Sequence, residues 1–137
     1  MNTKYIRLLI FAVVCFSAAF AFIHFDVMKY VGRGEHAQFL VDGKPTVYIF
    51  YNDKDPEGNT YKIASQTIAT IGKKYGDKIS VFPVTNDNAK SPFYSDSFRI
   101  STFPTLVILN KRGYIVAHYE GILDVEQIDY DLQVLTK

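Results

Sequence analysis

The sequence predicts an α/β fold: a three-layer sandwich with a central mixed sheet of four to five strands flanked by helices, placed after an N-terminal transmembrane helix. Three observations predict it. Leu8–Phe25 carries no charged side chain over 18 residues, close to the ~20 apolar residues that span a bilayer. Thr46–Tyr51 and Ile79–Val84 are β-rich runs separated by a stretch of helical apolar spacing. A strand–helix–strand unit of that length pairs its strands in parallel through a right-handed crossover. Thr105–Leu109 and Tyr114–Tyr119 are joined by the short polar Asn110–Gly113, which reads as an antiparallel hairpin. The chain therefore divides into 1–25, a membrane anchor or signal sequence, 26–44, a linker and short lead-in element, and 45–137, the folded α/β domain.

Length and composition bound the function. At 137 residues there is one domain's worth of chain. The formal net charge is +1, and beyond residue 25 the 13 Lys and Arg face 14 Asp and Glu. That balance gives no electrostatic footprint for nucleic acid. The single cysteine, Cys15, lies in the N-terminal apolar run. Residues 26–137 therefore have no thiol nucleophile, no disulfide and no cysteine-based zinc site.

The N-terminal run has two readings. Ala19-Phe20-Ala21 fits signal cleavage after Ala21, leaving a secreted or periplasmic domain. The apolar run continues through Phe22, Ile23 and Phe25, longer than a usual signal core, which favours a retained anchor. Lys4 and Arg7 favour a cytoplasmic N-terminus and a domain on the extracytoplasmic side.

The remaining elements follow in order. Gly32-Arg33-Gly34 reads as a break, and Glu35–Val41 as a short helix or a lead into the next strand. Thr46–Tyr51 is apolar on both sides, as a strand in the middle of a covered sheet is. Asp55-Pro56-Glu57 reads as a helix start, with Asn59 or Thr60 as the other candidate caps. That helix runs to Tyr75, with Tyr61, Ala64, Ile68, Ile71 and Tyr75 as its buried stripe. Pro83 inside the second strand cannot donate to a ladder and requires a free side there. Thr85–Ser101 is rich in loop residues, with Ser91-Pro92 opening a short helix through Phe98. Asp124 caps a last helix, Gln127 is its capping-box partner, and Val125, Ile128, Leu132 and Leu135 form the stripe.

Phe103-Pro104 before an apolar strand, a turn with Lys111 and Gly113, and a strand ending at Gly121 resemble the C-terminal half of the thioredoxin fold. With the elements before it, the resemblance covers roughly Lys44 to Leu135. It implies a cis bond between Phe103 and Pro104, a groove beside it, and a first strand that is missing or marginal here. It also implies a Cys-x-x-Cys at the start of the first long helix, where a helix N-terminus lowers a thiol pKa. Those two positions fall on Glu57 and Thr60, and the family's buried relay carboxylate falls near Ile49. None of the three can perform the family's dithiol exchange.

Other chemistry is thinly supported. Asp53-x-Asp55-x-Glu57-Gly58 opens like a calcium-binding loop, but its twelfth position is Ala64 and Pro56 intrudes. His24, His36 and His118 show neither catalytic nor metal-ligand spacing. No metal, cofactor or catalytic residue is expected, and the chain is not expected to be an enzyme. The candidate site is the groove that the resemblance implies: Thr102, Phe103 and Pro104 facing Tyr51, Glu57 and Thr60, where an extended peptide adds like a strand. The expected function is a redox-inactive, membrane-anchored module that binds protein partners as a scaffold, chaperone-like or assembly factor, with membrane contact through residues 8–25. The alternatives are an accessory enzyme that borrows a partner's cysteines, and a calcium-tuned binding module.

Overall fold

The computed structural model describes residues 3–15, 34–55 and 58–137. The chain separates into two compact units, Met1–Gly32 and Arg33–Lys137. Residues 3–15 of the first unit form a helix, α1, with exposed side chains. Among the described residues no helix is long and apolar enough to cross a membrane. The rest of the uncharged run, the cleavage candidate Ala19–Ala21 and His24 lie outside the described residues.

The second unit is built on four strands: β1 (Thr46–Tyr51), β2 (Ser80–Thr85), β3 (Thr105–Leu109) and β4 (Ile115–Glu120). Their order is β2-β1-β3-β4. The β1–β2 pair is parallel, and β1–β3 and β3–β4 are antiparallel. Of the four to five strands expected, the described residues hold four, and none precedes β1. Thr46–Phe50 are buried, as the two-sided apolar run requires. β2 lies at the edge, which leaves Pro83 without an obligatory ladder bond.

The helices of the second unit are α2 (Asn59–Tyr75), α3 (Asn86–Ala89), α4 (Pro92–Phe98) and α5 (Val125–Leu135). Alternation along the strands divides the core into two layers. Val47, Ile49, Leu106 and Ile108 pack with Ala64, Ile71, Tyr75, Ile128 and Leu132. Tyr48, Phe50, Val107 and Leu109 pack with Phe39, Ala89 and Phe98, edged by Phe82, Tyr94 and Phe103. The second layer is rich in aromatic rings; Phe39 and Phe98 lie 4.6 Å apart between ring centres.

Several expected boundaries move, each for a local reason. α2 begins at Asn59, not at an Asp55 cap, because Gly58 takes the left-handed conformation, φ 65°. Tyr61 is exposed, and Thr67 joins the buried stripe with its hydroxyl bonded to the Ile63 carbonyl at 2.9 Å. α3 forms within the stretch expected as loop. β4 starts one residue late because the Tyr114 amide is taken by the Asn110 side chain at 3.1 Å. Asp124 caps α5 through the Glu126 and Gln127 amides. Gln127 does not complete a capping box; its side chain turns to Asp131 at 3.3 Å.

The lead-in segment forms a short 3-10 turn, Ala37–Phe39. The Gly34 amide donates to the Arg112 carbonyl at 2.7 Å, and the His36 amide to Gly113 at 2.9 Å. A Cβ at Gly34 would stand 2.3 Å from the Gly113 backbone. Two glycines are needed for the segment to approach the hairpin turn that closely.

Candidate functional site: a groove at one end of the sheet

The strand register places the candidate residues. Tyr51 lies opposite Thr85 on β2, and Phe50 opposite Thr105 on β3. Continuing that register, Asn86 stands beside Asn52, and Pro104 beside Tyr51, at one end of the sheet. At ~4.8 Å between strands, Thr85 and Pro104 are about 10 Å apart across Tyr51. The carboxyl ends of parallel strands in an open sheet are where ligands usually bind.

This end is held by short bonds. The Asn52 carbonyl accepts from the Thr60 hydroxyl at 2.9 Å, which fixes the start of α2 to the end of β1. The Asn52 side chain accepts from the Lys54 amide at 3.0 Å, an Asx turn. Asp55 accepts from the Thr60 amide at 3.3 Å, so this acid of the suspected calcium loop serves the helix start. Lys54 and Asp87 pair at 2.7 Å across the exposed rim. Their hydrogen bond and charges lower the Asp87 carboxyl pKa and raise that of the Lys54 ammonium.

On the β3 side the Phe103–Pro104 bond is cis. Pro104 is buried, and its carbonyl accepts from the Gly121 amide at 2.8 Å. The Thr105 hydroxyl donates to the Thr102 carbonyl at 2.7 Å. Thr102 is exposed and Phe103 half-buried against the aromatic layer. Thr102, Phe103, Pro104, Tyr51 and Thr60 thus gather at this end; Glu57 lies outside the described residues. Tyr51 and Tyr61 meet at a tilt, 5.6 Å between ring centres. Together with Ala64, Ile68 and Pro83 they line an apolar hollow of about 290 Å³.

Sequence reasoning missed two features. Asn86 is buried, 8% exposed, and its side-chain oxygen has no hydrogen-bond partner. The only signal was its place just past a strand parallel to β1. His36 and His118, far apart in sequence, line one cleft of about 600 Å³ with Glu35, Asp96, Arg99 and Glu120. His36 stacks on Phe98 at 5.2 Å and bonds the Ser97 carbonyl at 2.8 Å, while His118 meets Glu120 at 3.2 Å. Among the described residues no group of three or more His, Cys, Asp or Glu is placed to hold a metal ion.

This fold is thioredoxin-like: a four-stranded mixed sheet flanked by helices, matched by solved thioredoxin structures. An uncharacterised thioredoxin-like protein from Clostridium perfringens is 19% identical with a TM-score of 0.59, over 77% of this chain and 81% of that one. The germline-specific thioredoxin Deadhead from Drosophila melanogaster is 21% identical with a TM-score of 0.56, over 69% of this chain and 83% of that one. An exposed lipoprotein thioredoxin from Streptococcus pneumoniae is 17% identical with a TM-score of 0.57, over 68% and 86%. No protein-family model and no curated protein matches the chain.

Proposed function

We propose that this protein is a redox-inactive, membrane-anchored binding module that holds extended segments of partner proteins in the groove at the end of the sheet. It acts as a scaffold, chaperone-like or assembly factor on the extracytoplasmic side. The observation that carries the reading is the groove's composition. Thr102, Phe103, Pro104, Tyr51 and Thr60 gather where β1 ends, and the chain's single cysteine, Cys15, belongs to the other unit. Binding without dithiol chemistry is what such a site supplies. An extended peptide gains affinity from main-chain hydrogen bonds and specificity from side-chain pockets. The main chain at the exposed Thr102 supports the first, and the Tyr51–Tyr61 hollow the second.

The uncharged run Leu8–Phe25 supports the anchor, and Lys4 with Arg7 supports the orientation. The test is paired. The full chain should give no turnover in an insulin-reduction assay. It should also select linear peptides from a random displayed library, with binding weakened by Thr102→Arg. Thiol turnover, or peptides indifferent to Thr102→Arg, would contradict the reading.

A further inference from the structure

The two outer strands of the sheet offer different main-chain groups. The Ser80 amide donates to the Pro45 carbonyl at 3.0 Å. Ser80, Phe82 and Val84 therefore bond β1, and Val81, Pro83 and Thr85 face outward. Pro83 thus places a residue with no N–H in the middle of the β2 edge, which guards that edge against strand pairing. On the other side the Gly121 amide donates to the Pro104 carbonyl at 2.8 Å. Tyr119 and Ala117 therefore bond β3, and the exposed His118 and Glu120 turn their main-chain groups away from the sheet. The Glu120 carbonyl accepts from the Ile122 amide at 2.8 Å. The His118 amide and carbonyl and the Glu120 amide point outward, and among the described residues no strand lies beyond β4. The side chains of His118 and Glu120 line the cleft of about 600 Å³ with Glu35, Asp96 and Arg99. Three carboxylates against one guanidinium leave an excess of two negative charges there while the imidazoles are neutral. Among the described residues neither Glu35 nor Asp96 is part of a salt bridge.

We propose that β4 takes up an extended, lysine- or arginine-bearing segment of a partner protein as a further strand, with its basic side chains over the His36–His118 cleft. Laid antiparallel, the residue opposite His118 exchanges both main-chain bonds with it, and the Glu120 amide donates to the carbonyl two residues away. Residues directly opposite one another project on the same face of a sheet, so the side chains opposite His118 and Glu120 fall over the cleft. A basic side chain there meets the carboxylates of Glu35, Asp96 and Glu120. The surface lies on the other side of β3 from the groove at Tyr51 and Thr60, and neither reading depends on the other.

The experiment titrates the full chain with the end-blocked heptapeptide Thr-Val-Lys-Val-Lys-Val-Thr, followed by amide chemical shifts. The largest changes should fall on His118, Glu120 and their neighbours. The same peptide with Glu in place of both Lys should bind about tenfold more weakly, since two exposed charge pairs are lost. Asp96→Asn with Glu35→Gln should narrow that difference. N-methylation of the two lysine amides should abolish binding, because the residue opposite His118 must donate its N–H. N-methylation of the valine amides, which face away from β4, should be tolerated.

Equal binding of the lysine and glutamate peptides would overturn the proposal, and so would equal losses from lysine and valine methylation. Shift changes confined to Tyr51 and Thr60 would place the peptide in the groove and overturn the β4 site while leaving the groove reading intact. No binding of the lysine peptide at millimolar concentration would also overturn it, and the groove would still stand or fall by its own selected peptides.

Discussion

The Tyr75 hydroxyl donates to the Asp129 carboxylate, 2.6 Å away, and lies 2.9 Å from the carbonyl oxygen of the same residue. The contact fastens the last turn of α2 to α5 on one face of the sheet. Lys74 at 2.6 Å and Gln133 at 2.9 Å complete the shell around that carboxylate. The Lys74 bond, then the Tyr75 bond, hold Asp129 below the usual carboxylate range. A depressed folded pKa adds stability above the unfolded value, ~3.9, and loses it as pH falls through the folded one. Asp129→Asn should therefore lower the melting temperature at pH 7 and narrow its gap to the wild type at pH 2. Thermal melts across that range check this.

Tyr75→Phe removes the hydroxyl and keeps the ring. It should cost about 1 kcal/mol, seen as a shift of roughly 4–8 °C in melting temperature for a domain of this size.

Three tyrosines should resist alkali. Burial, then the charge of Tyr94, pushes Tyr48 up to about 12. Burial, then bonds to Asp129 and Asp131, pushes Tyr75 and Tyr119 well above the ordinary tyrosine value. A raised folded pKa gives stability that is complete below the unfolded value, ~10, and declines as pH rises past it. Absorbance at alkaline pH should show these three phenols ionising only as the domain unfolds, above about pH 10. A titration in which every tyrosine ionises freely by pH 11 would contradict it.

Gly34→Ala should detach the lead-in segment from the hairpin turn, because its Cβ would stand 2.3 Å from the Gly113 backbone. We expect a loss of at least ~2 kcal/mol, with faster hydrogen exchange at the His36 amide. A Gly34→Ala variant as stable as the wild type would contradict this packing.

The membrane proposal has its own measurement. With Leu8–Phe25 retained, the protein should stay in the membrane pellet after carbonate washing. A soluble species beginning at Phe22 would favour the cleaved signal.

The sheet was the most legible part of the sequence. β1 is read to the residue, because a run apolar on both sides has no register ambiguity with solvent. Pro83 correctly marked an edge strand. The cis bond at Pro104 followed from the resemblance, not from the residues themselves. What escaped depends on partners distant in sequence. Tyr61 has the right spacing for the core but stays exposed against Tyr51, while Thr67 is buried by satisfying its hydroxyl within its own helix. Asp55 looked like a helix cap and does serve Thr60, but across a longer loop, since Gly58 breaks the helix before Asn59. Of the candidate site, the position of Thr102–Pro104 beside the end of β1 was legible. Asn86 was not, because an Asn after a strand reads as a solvated turn, and nothing local says that its oxygen is buried without a partner.

The most direct test of a binding groove without thiol chemistry is an amide chemical-shift map of the full chain titrated with a selected dodecapeptide. The account predicts that the largest changes fall on Tyr51, Asn52, Thr60, Thr102 and Phe103, with a reduced and an oxidised sample giving the same map. Changes centred on the His36–His118 cleft, or a map that depends on redox state, would contradict it.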